Sequence, residues 1–160
     1  MAAAACSVDS MATRPSADDC VFCEIIAGRR DAEVVYEDES VVAFFDHSPL
    51  FPGHTLVVPR RHVVTLPDLP TDEVGPFYLR VQTIARVMPE ALSAEGTFVA
   101  TNNVVSQSVA HLHVHVVPRT RGDGLRGFFW PRHKYAAGES ASTAARLRAA
   151  LADTASETSL

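Results

Sequence analysis

In the segment AHLHVHVVPR, residues 110–119, histidine takes every second position of an otherwise apolar run, at His111, His113 and His115. Strict alternation is the period of a β-strand, whose successive side chains point to opposite faces. The segment therefore predicts a strand that turns Leu112, Val114 and Val116 into a core and the three imidazoles the other way. At a rise of about 3.3 Å per residue, neighbouring imidazoles stand about 6.6 Å apart and the outer two about 13 Å. Zinc–nitrogen bonds are about 2 Å long, so one ion could gather two of these rings but hardly three. The row suits phosphate ester or anhydride chemistry instead. Neutral imidazole is both a nucleophile and a proton carrier near pH 7, and it donates hydrogen bonds to phosphate oxygens without bringing negative charge to the anion.

The rest of the chain bounds what can surround this strand. With 160 residues, 47% hydrophobic and 21% charged, it fits one domain of ordinary composition with a real core. A net charge of -5, with basic residues clustered no further than the pairs Arg29-Arg30 and Arg60-Arg61, argues against a nucleic-acid partner. No apolar stretch approaches the roughly 18 residues that cross a bilayer, which argues against a membrane partner. Three cysteines, Cys6, Cys20 and Cys23, are too few and odd in number for a disulfide framework, so a reducing, cytoplasmic setting is expected. Composition shifts only at the ends. Residues 1–17 are expected to be a disordered leader, 18–135 the working domain, and 136–160 a tail with a short helix around Ala144 to Leu151.

Within the domain, DDCVFCEIIAG places Val21, Phe22, Ile25 and Ile26 at helical spacing with Gly28 behind them, which predicts a short helix. EVVYE and SVVAFFD predict a hairpin, and HTLVVP a third strand. From Thr71 to Leu92, Val74, Phe77, Val81, Ile84, Met88 and Leu92 recur every three or four residues. This predicts one long helix capped by Thr71. GTFVATN and the histidine segment complete the strands. Only one stretch offers a helical crossover, so the fold class is α+β with an antiparallel sheet.

Three separated segments, CVFCEIIAG, FFDHSPLFPGHTLVVPRRH and SQSVAHLHVHVVPR, resemble the histidine-triad (HIT) superfamily of nucleotide hydrolases and transferases over about residues 19 to 131, closer to its Hint-type and bacterial branches than to its Fhit branch. The resemblance implies a HIT-like fold, with a five-stranded antiparallel sheet in each subunit of a homodimer. It also implies that His113 attacks the α-phosphorus of a nucleotide and forms a nucleotidyl-histidine that water hydrolyses. Only this central residue has a histidine on either side. His115 would hydrogen-bond a non-bridging oxygen, and His111 would support His113. His54 matches a fourth family histidine behind the triad, and Gln107 and Ser108 match residues that serve the leaving group and phosphate.

By the same resemblance Asp46 binds the ribose hydroxyls, while Val21, Phe22, Ile25 and Phe44 enclose a purine. His47 stands where an aliphatic residue is common. Asn102 matches a ribose- or phosphate-side asparagine, and a short NNVVSQS loop leaves Asn103 as its alternative. Cys20 and Cys23 alone are half a zinc site, a redox pair or two small buried residues. In some bacterial relatives such a pair is completed to a structural zinc by the equivalents of His62 and His111. Arg119 could draw in the phosphate tail of a dinucleotide, Trp130-Pro131 resembles a Trp-Pro near the end of Hint-type chains, and His133 reads as surface. The expected function is hydrolysis of purine nucleoside 5′-phosphoramidates or related AMP conjugates, with no organic cofactor. The alternatives are a dinucleoside polyphosphate hydrolase or phosphorylase and a zinc-containing nucleotide-binding adaptor with little turnover.

Overall fold

The structure is a computed structural model that describes residues 17–125 and 134–157. The leader up to residue 16, Trp130-Pro131 and His133 lie outside the described residues. After a short helical turn at Ala17–Asp19 come α1 (Val21–Ile26), β1 (Val34–Glu37), β2 (Val41–Phe45), β3 (Thr55–Pro59), a second turn at Leu66–Asp68, α2 (Thr71–Leu92), β4 (Gly96–Ala100) and β5 (Val114–Arg119). All strand pairs are antiparallel, in the order β1-β2-β3-β5-β4. The α+β, five-stranded antiparallel expectation therefore holds. The described residues divide at Asp123/Gly124 into two compact units. The second contains α3 (Glu139–Glu157), longer than the tail helix the sequence suggested.

Both faces of the central strands are covered. Val41, Ala43, Val57, Leu112, Val114 and Val116 pack under α2 against Phe77, Val81, Ile84 and Met88. Val42, Phe44, Leu56 and Val58 pack on the other face with Cys20 and Phe22 of the α1 region. Strands buried on both faces read as continuous apolar runs, which is why β2 and β3 show no alternation. β5 alternates because its second face carries the site.

Two local expectations change. Thr71 is the first helical residue of α2, and Pro70 precedes it without a side-chain cap. The side-chain cap sits one turn earlier, where Thr65 and Asp68 form a reciprocal capping box. The histidine segment also joins the ladder only at Val114, so His111 and His113 lie on the extended approach to β5 rather than in it. Among the described residues no helix is long and apolar enough to cross a membrane.

Candidate functional site

The alternation does place the imidazoles opposite Leu112, Val114 and Val116, but His111 and His113 are buried, at 0% and 2% exposure, rather than displayed. His113 Nδ1 lies 2.7 Å from the carbonyl oxygen of His111. A carbonyl only accepts, so Nδ1 carries the proton and the lone pair is on Nε2. Phe22 stands edge-on to this ring at 5.3 Å between centroids, and His115 follows at 5.0 Å.

A second relay fixes His115. The amide of Leu50 donates to His54 Nδ1 at 3.2 Å, which leaves the His54 proton on Nε2. That nitrogen is 2.9 Å from His115 Nδ1 and donates to it, so His115 carries its own proton on Nε2. Burial lowers the pKa of His54, and burial with the neighbouring His113 and His54 pushes His115 down to about 4. Both rings are neutral at pH 7. Gly53, at φ +92, delivers His54 into place: an added Cβ would strike the side chain of Leu92.

His113 and His115 line one end of a cleft of about 390 Å³, with Ser108 beside them. The ladder gives the cleft its floor. His115 pairs with Leu56 and Leu56 with Phe44. Two strand spacings of about 4.8 Å make this row about 10 Å long. Val21, Phe22, Ile25 and Phe44 form its apolar middle, and Asp46 and His47 line it as well. Asp46 Oδ1 accepts the Ser48 amide at 2.9 Å and Oδ2 lies 3.7 Å from His54 Nδ1, while the His47 side chain is 95% exposed. The far rim holds Arg30, Asp31 and Glu33, which the motifs did not single out; their only signal was their place just before β1.

Other expected residues face elsewhere. Gln107 does not line the cleft; its amide donates to Val64 O at 2.6 Å and accepts from the Val104 amide at 2.8 Å, bracing the loop. Asn102 donates to Ser106 O at 3.2 Å, and Asn103 accepts from the Leu66 amide at 2.8 Å. Neither asparagine is part of the cleft lining. Arg119 is clamped by both oxygens of Asp123, at 2.5 and 2.9 Å, so its charge is spent within a turn.

Behind the triad, Cys20, Cys23, His62 and His111 bring one ligand atom each to within 4.8 Å of one another. His111 Nε2 donates to Pro59 O at 2.8 Å, so Nδ1 holds the lone pair and points at the sulfurs. The sulfur–nitrogen separations are 3.5 Å from Cys20 to His111, 3.6 Å from Cys23 to His111 and 3.3 Å from Cys23 to His62. A tetrahedral zinc with bonds of about 2.3 Å to sulfur and about 2.0 Å to nitrogen has sulfur–nitrogen edges of about 3.5 Å. The donor set therefore fits zinc in both chemistry and size. His62 Nε2 is buried with no hydrogen-bond partner, a cost that metal ligation through Nδ1 would offset. Burial and Cys20 push the Cys23 thiol up to about 11, so metal binding must displace a proton. His111 thus serves the triad through its carbonyl while its ring belongs to this cluster.

The sequence profile of the HIT domain matches residues 27–122. An uncharacterized HIT-like protein of Methanocaldococcus jannaschii is 44% identical over 66% of this chain and 82% of its own length. An adenylylsulfatase of Arabidopsis thaliana is 33% identical over 68% of this chain and 56% of its own. The crystal structure of a zinc-bound histidine triad family protein from Mycobacterium smegmatis superposes with a TM-score of 0.65 at 37% identity, covering 84% of this chain and 99% of that one.

Proposed function

The chain belongs to the HIT family, and from that membership we propose that it is a nucleotide hydrolase acting at the α-phosphorus of purine nucleoside 5′-phosphoramidates and related AMP conjugates. The observation that carries the reading is the orientation of His113: with Nδ1–H held by His111 O, the Nε2 lone pair is left for the cleft.

In the first step Nε2 attacks phosphorus, a nitrogen–phosphorus bond to His113 forms, and the bond from phosphorus to the substrate's amine breaks. The amine departs with a proton from water, beside the Ser108 hydroxyl. His115 donates its Nε2–H to a non-bridging oxygen, offsetting charge that builds there without adding a proton equilibrium near pH 7. The hydroxide left by that water attacks the same phosphorus, AMP leaves, and His113 regains its lone pair, so the two steps together consume one water. Asp46 takes the ribose hydroxyls, and Phe22, Ile25 and Phe44 enclose the base. A dinucleoside polyphosphate is the less favoured substrate, because Arg119, the cation best placed in sequence for a second phosphate, is engaged by Asp123. Cys20, Cys23, His62 and His111 would hold a structural zinc, and as its ligands they would tie the start of α1 to the sheet. Exposed Val99 on edge strand β4 and Leu79 and Val87 on α2 offer apolar surface for a homodimer.

The test incubates wild type and His113→Ala with AMP-lysine-type amidates, dinucleoside polyphosphates and AMP, following AMP release and an adduct on His113 by mass spectrometry. Wild type should release AMP fastest from the amidates, and His113→Ala should lose more than about 10³-fold. Binding of AMP without turnover of any substrate would establish the adaptor reading instead.

A further inference from the structure

The charged side chains at the far rim of the cleft have no partner among the described residues. Arg30, Asp31 and Glu33 line the cleft and are exposed, and none makes a side-chain hydrogen bond or ion pair with a described residue. Their charged neighbours are paired: Arg29 with Glu24, Arg60 with Glu37 and Arg80 with Asp38, each at 2.6 Å. The backbone nevertheless fixes where the rim residues stand. Arg30 follows the turn that ends α1, where the Gly28 and Arg29 amides donate to Ile25 O and Glu24 O, both at 2.9 Å. Glu33 comes from the sheet side, since the Phe45 amide donates to its carbonyl at 3.0 Å. Between them lie Ile25 of α1 and Phe44 of β2, which enclose the base in the proposed reaction. A flat ring in that slot therefore turns its outer edge toward Arg30 and Glu33, away from His113.

The chemistry of this rim distinguishes the two purines. A guanidinium only donates hydrogen bonds and a carboxylate only accepts them. Guanine presents two adjacent donors, N1–H and the 2-amino group, and two adjacent acceptors, O6 and N7. A carboxylate and a guanidinium can each meet it through two parallel bonds. Adenine instead sets its 6-amino donor between the acceptors N1 and N7, a mixed edge that a carboxamide matches. No Asn or Gln is among the described residues that line the cleft. We infer that Glu33, on N1 and the 2-amino group, and Arg30, on O6 and N7, read the base and make this cleft select guanine nucleotides over adenine nucleotides. Asp31 adds a second acceptor beside Glu33. The inference rests on the cleft taking a nucleotide with its phosphorus at His113.

The test compares wild type, Glu33→Gln and Arg30→Leu on guanosine and adenosine 5′-phosphoramidates of one amine, with GMP and AMP affinities measured by calorimetry. Both positions are exposed, and thermal melting checks that each variant folds. Wild type should favour the guanosine substrate by about tenfold in kcat/KM, the lower end for a bidentate pair because the rim meets water. Glu33→Gln supplies an amide that both donates and accepts, so its ratio should fall to about one or invert. Arg30→Leu should lower the ratio about threefold or more. Equal rates and affinities for the two bases in wild type, a ratio that neither variant moves, or failure to bind either nucleotide would overturn the inference. Equal turnover of both substrates that still needs His113 would do so while leaving the hydrolase reading in place. Tighter binding of GMP that Glu33→Gln abolishes, in a protein that turns over neither substrate, would instead sink the hydrolase reading and keep the base selection.

Discussion

His54 does not line the cleft, yet its replacement should be felt there. The Leu50 amide determines that His54 carries its proton on Nε2, and the 2.9 Å bond to His115 passes that decision to the cleft. In His54→Ala the acceptor Nδ1 of His115 loses its donor, and the ring gains by moving its own proton to Nδ1 or by admitting water. A buried group left without its partner costs about 1–3 kcal/mol. At about 1.4 kcal/mol per tenfold, this corresponds to a loss of roughly 5- to 150-fold in rate. Complete removal of one oxyanion donor costs about 10²–10³ and sets the ceiling. His54→Gln returns an N–H near the position of Nε2 and should recover to within about fivefold of wild type, because one neutral hydrogen bond of about 1 kcal/mol is restored. The assay is steady-state release of AMP from an amidate, with kcat and KM read separately and folding checked by thermal melting. The loss should fall mainly on kcat, since the donor matters most when charge builds on oxygen. A Gln variant as poor as the Ala variant, with both folded, would refute the relay.

Three further outcomes follow from the same geometry. His115 is neutral in the folded protein down to about pH 4, whereas an unfolded histidine protonates near 6.5. The unfolded state binds more protons in that window, so stability should fall as pH drops from about 6.5 to 4 by up to about 3 kcal/mol, and His115→Asn should flatten the slope in urea titrations. Asp38 accepts from the Ser40 and Val41 amides, the Ser40 hydroxyl, the Tyr36 hydroxyl and Arg80, whose bonds hold its carboxyl well below the usual carboxylate range. Its contribution is present above about pH 4 and lost as pH falls toward its folded value; Asp38→Ala should cost about 2–3 kcal/mol at pH 7 in the same titrations. Val104 sits at φ 68, a left-handed conformation that burdens a β-branched residue, and Val104→Gly should leave the melting temperature unchanged or raise it by a few degrees.

Sequence patterning was most informative where one face repeats. The apolar spacing from Val74 to Leu92 located α2, and the alternation at His111 to Val116 located both the core side and the site side of its segment. Where both faces are covered the pattern loses phase, and the start of β5 depends on which partners, Val57 and Ala100, end opposite it. Side-chain direction was harder still. Gln107 and the two asparagines fit the composition of a phosphate loop, but their amides satisfy nearby backbone groups instead. Arg119 was legible as a cation and not as half of a pair, since Asp123 reads as a turn residue. The largest gap concerned backbone atoms. The carbonyls of Pro59 and His111 and the amide of Leu50 decide which ring nitrogen of His111, His113 and His54 carries the proton, and peptide groups carry no letter in a sequence.

One repeated letter in AHLHVHVVPR therefore stands for three unrelated contracts. Each imidazole has two ring nitrogens; at 111 they are a donor to Pro59 and a lone pair aimed at the cysteine sulfurs, at 113 a donor to His111 and an open lone pair, at 115 an acceptor from His54 and an open donor. A carboxamide can imitate one edge of such a ring but not both edges at the same span. Saturation mutagenesis of this segment should accordingly find three positions intolerant of every other residue for three different reasons, separable by metal content, by loss of the covalent adduct, and by a fall in rate with the adduct still forming.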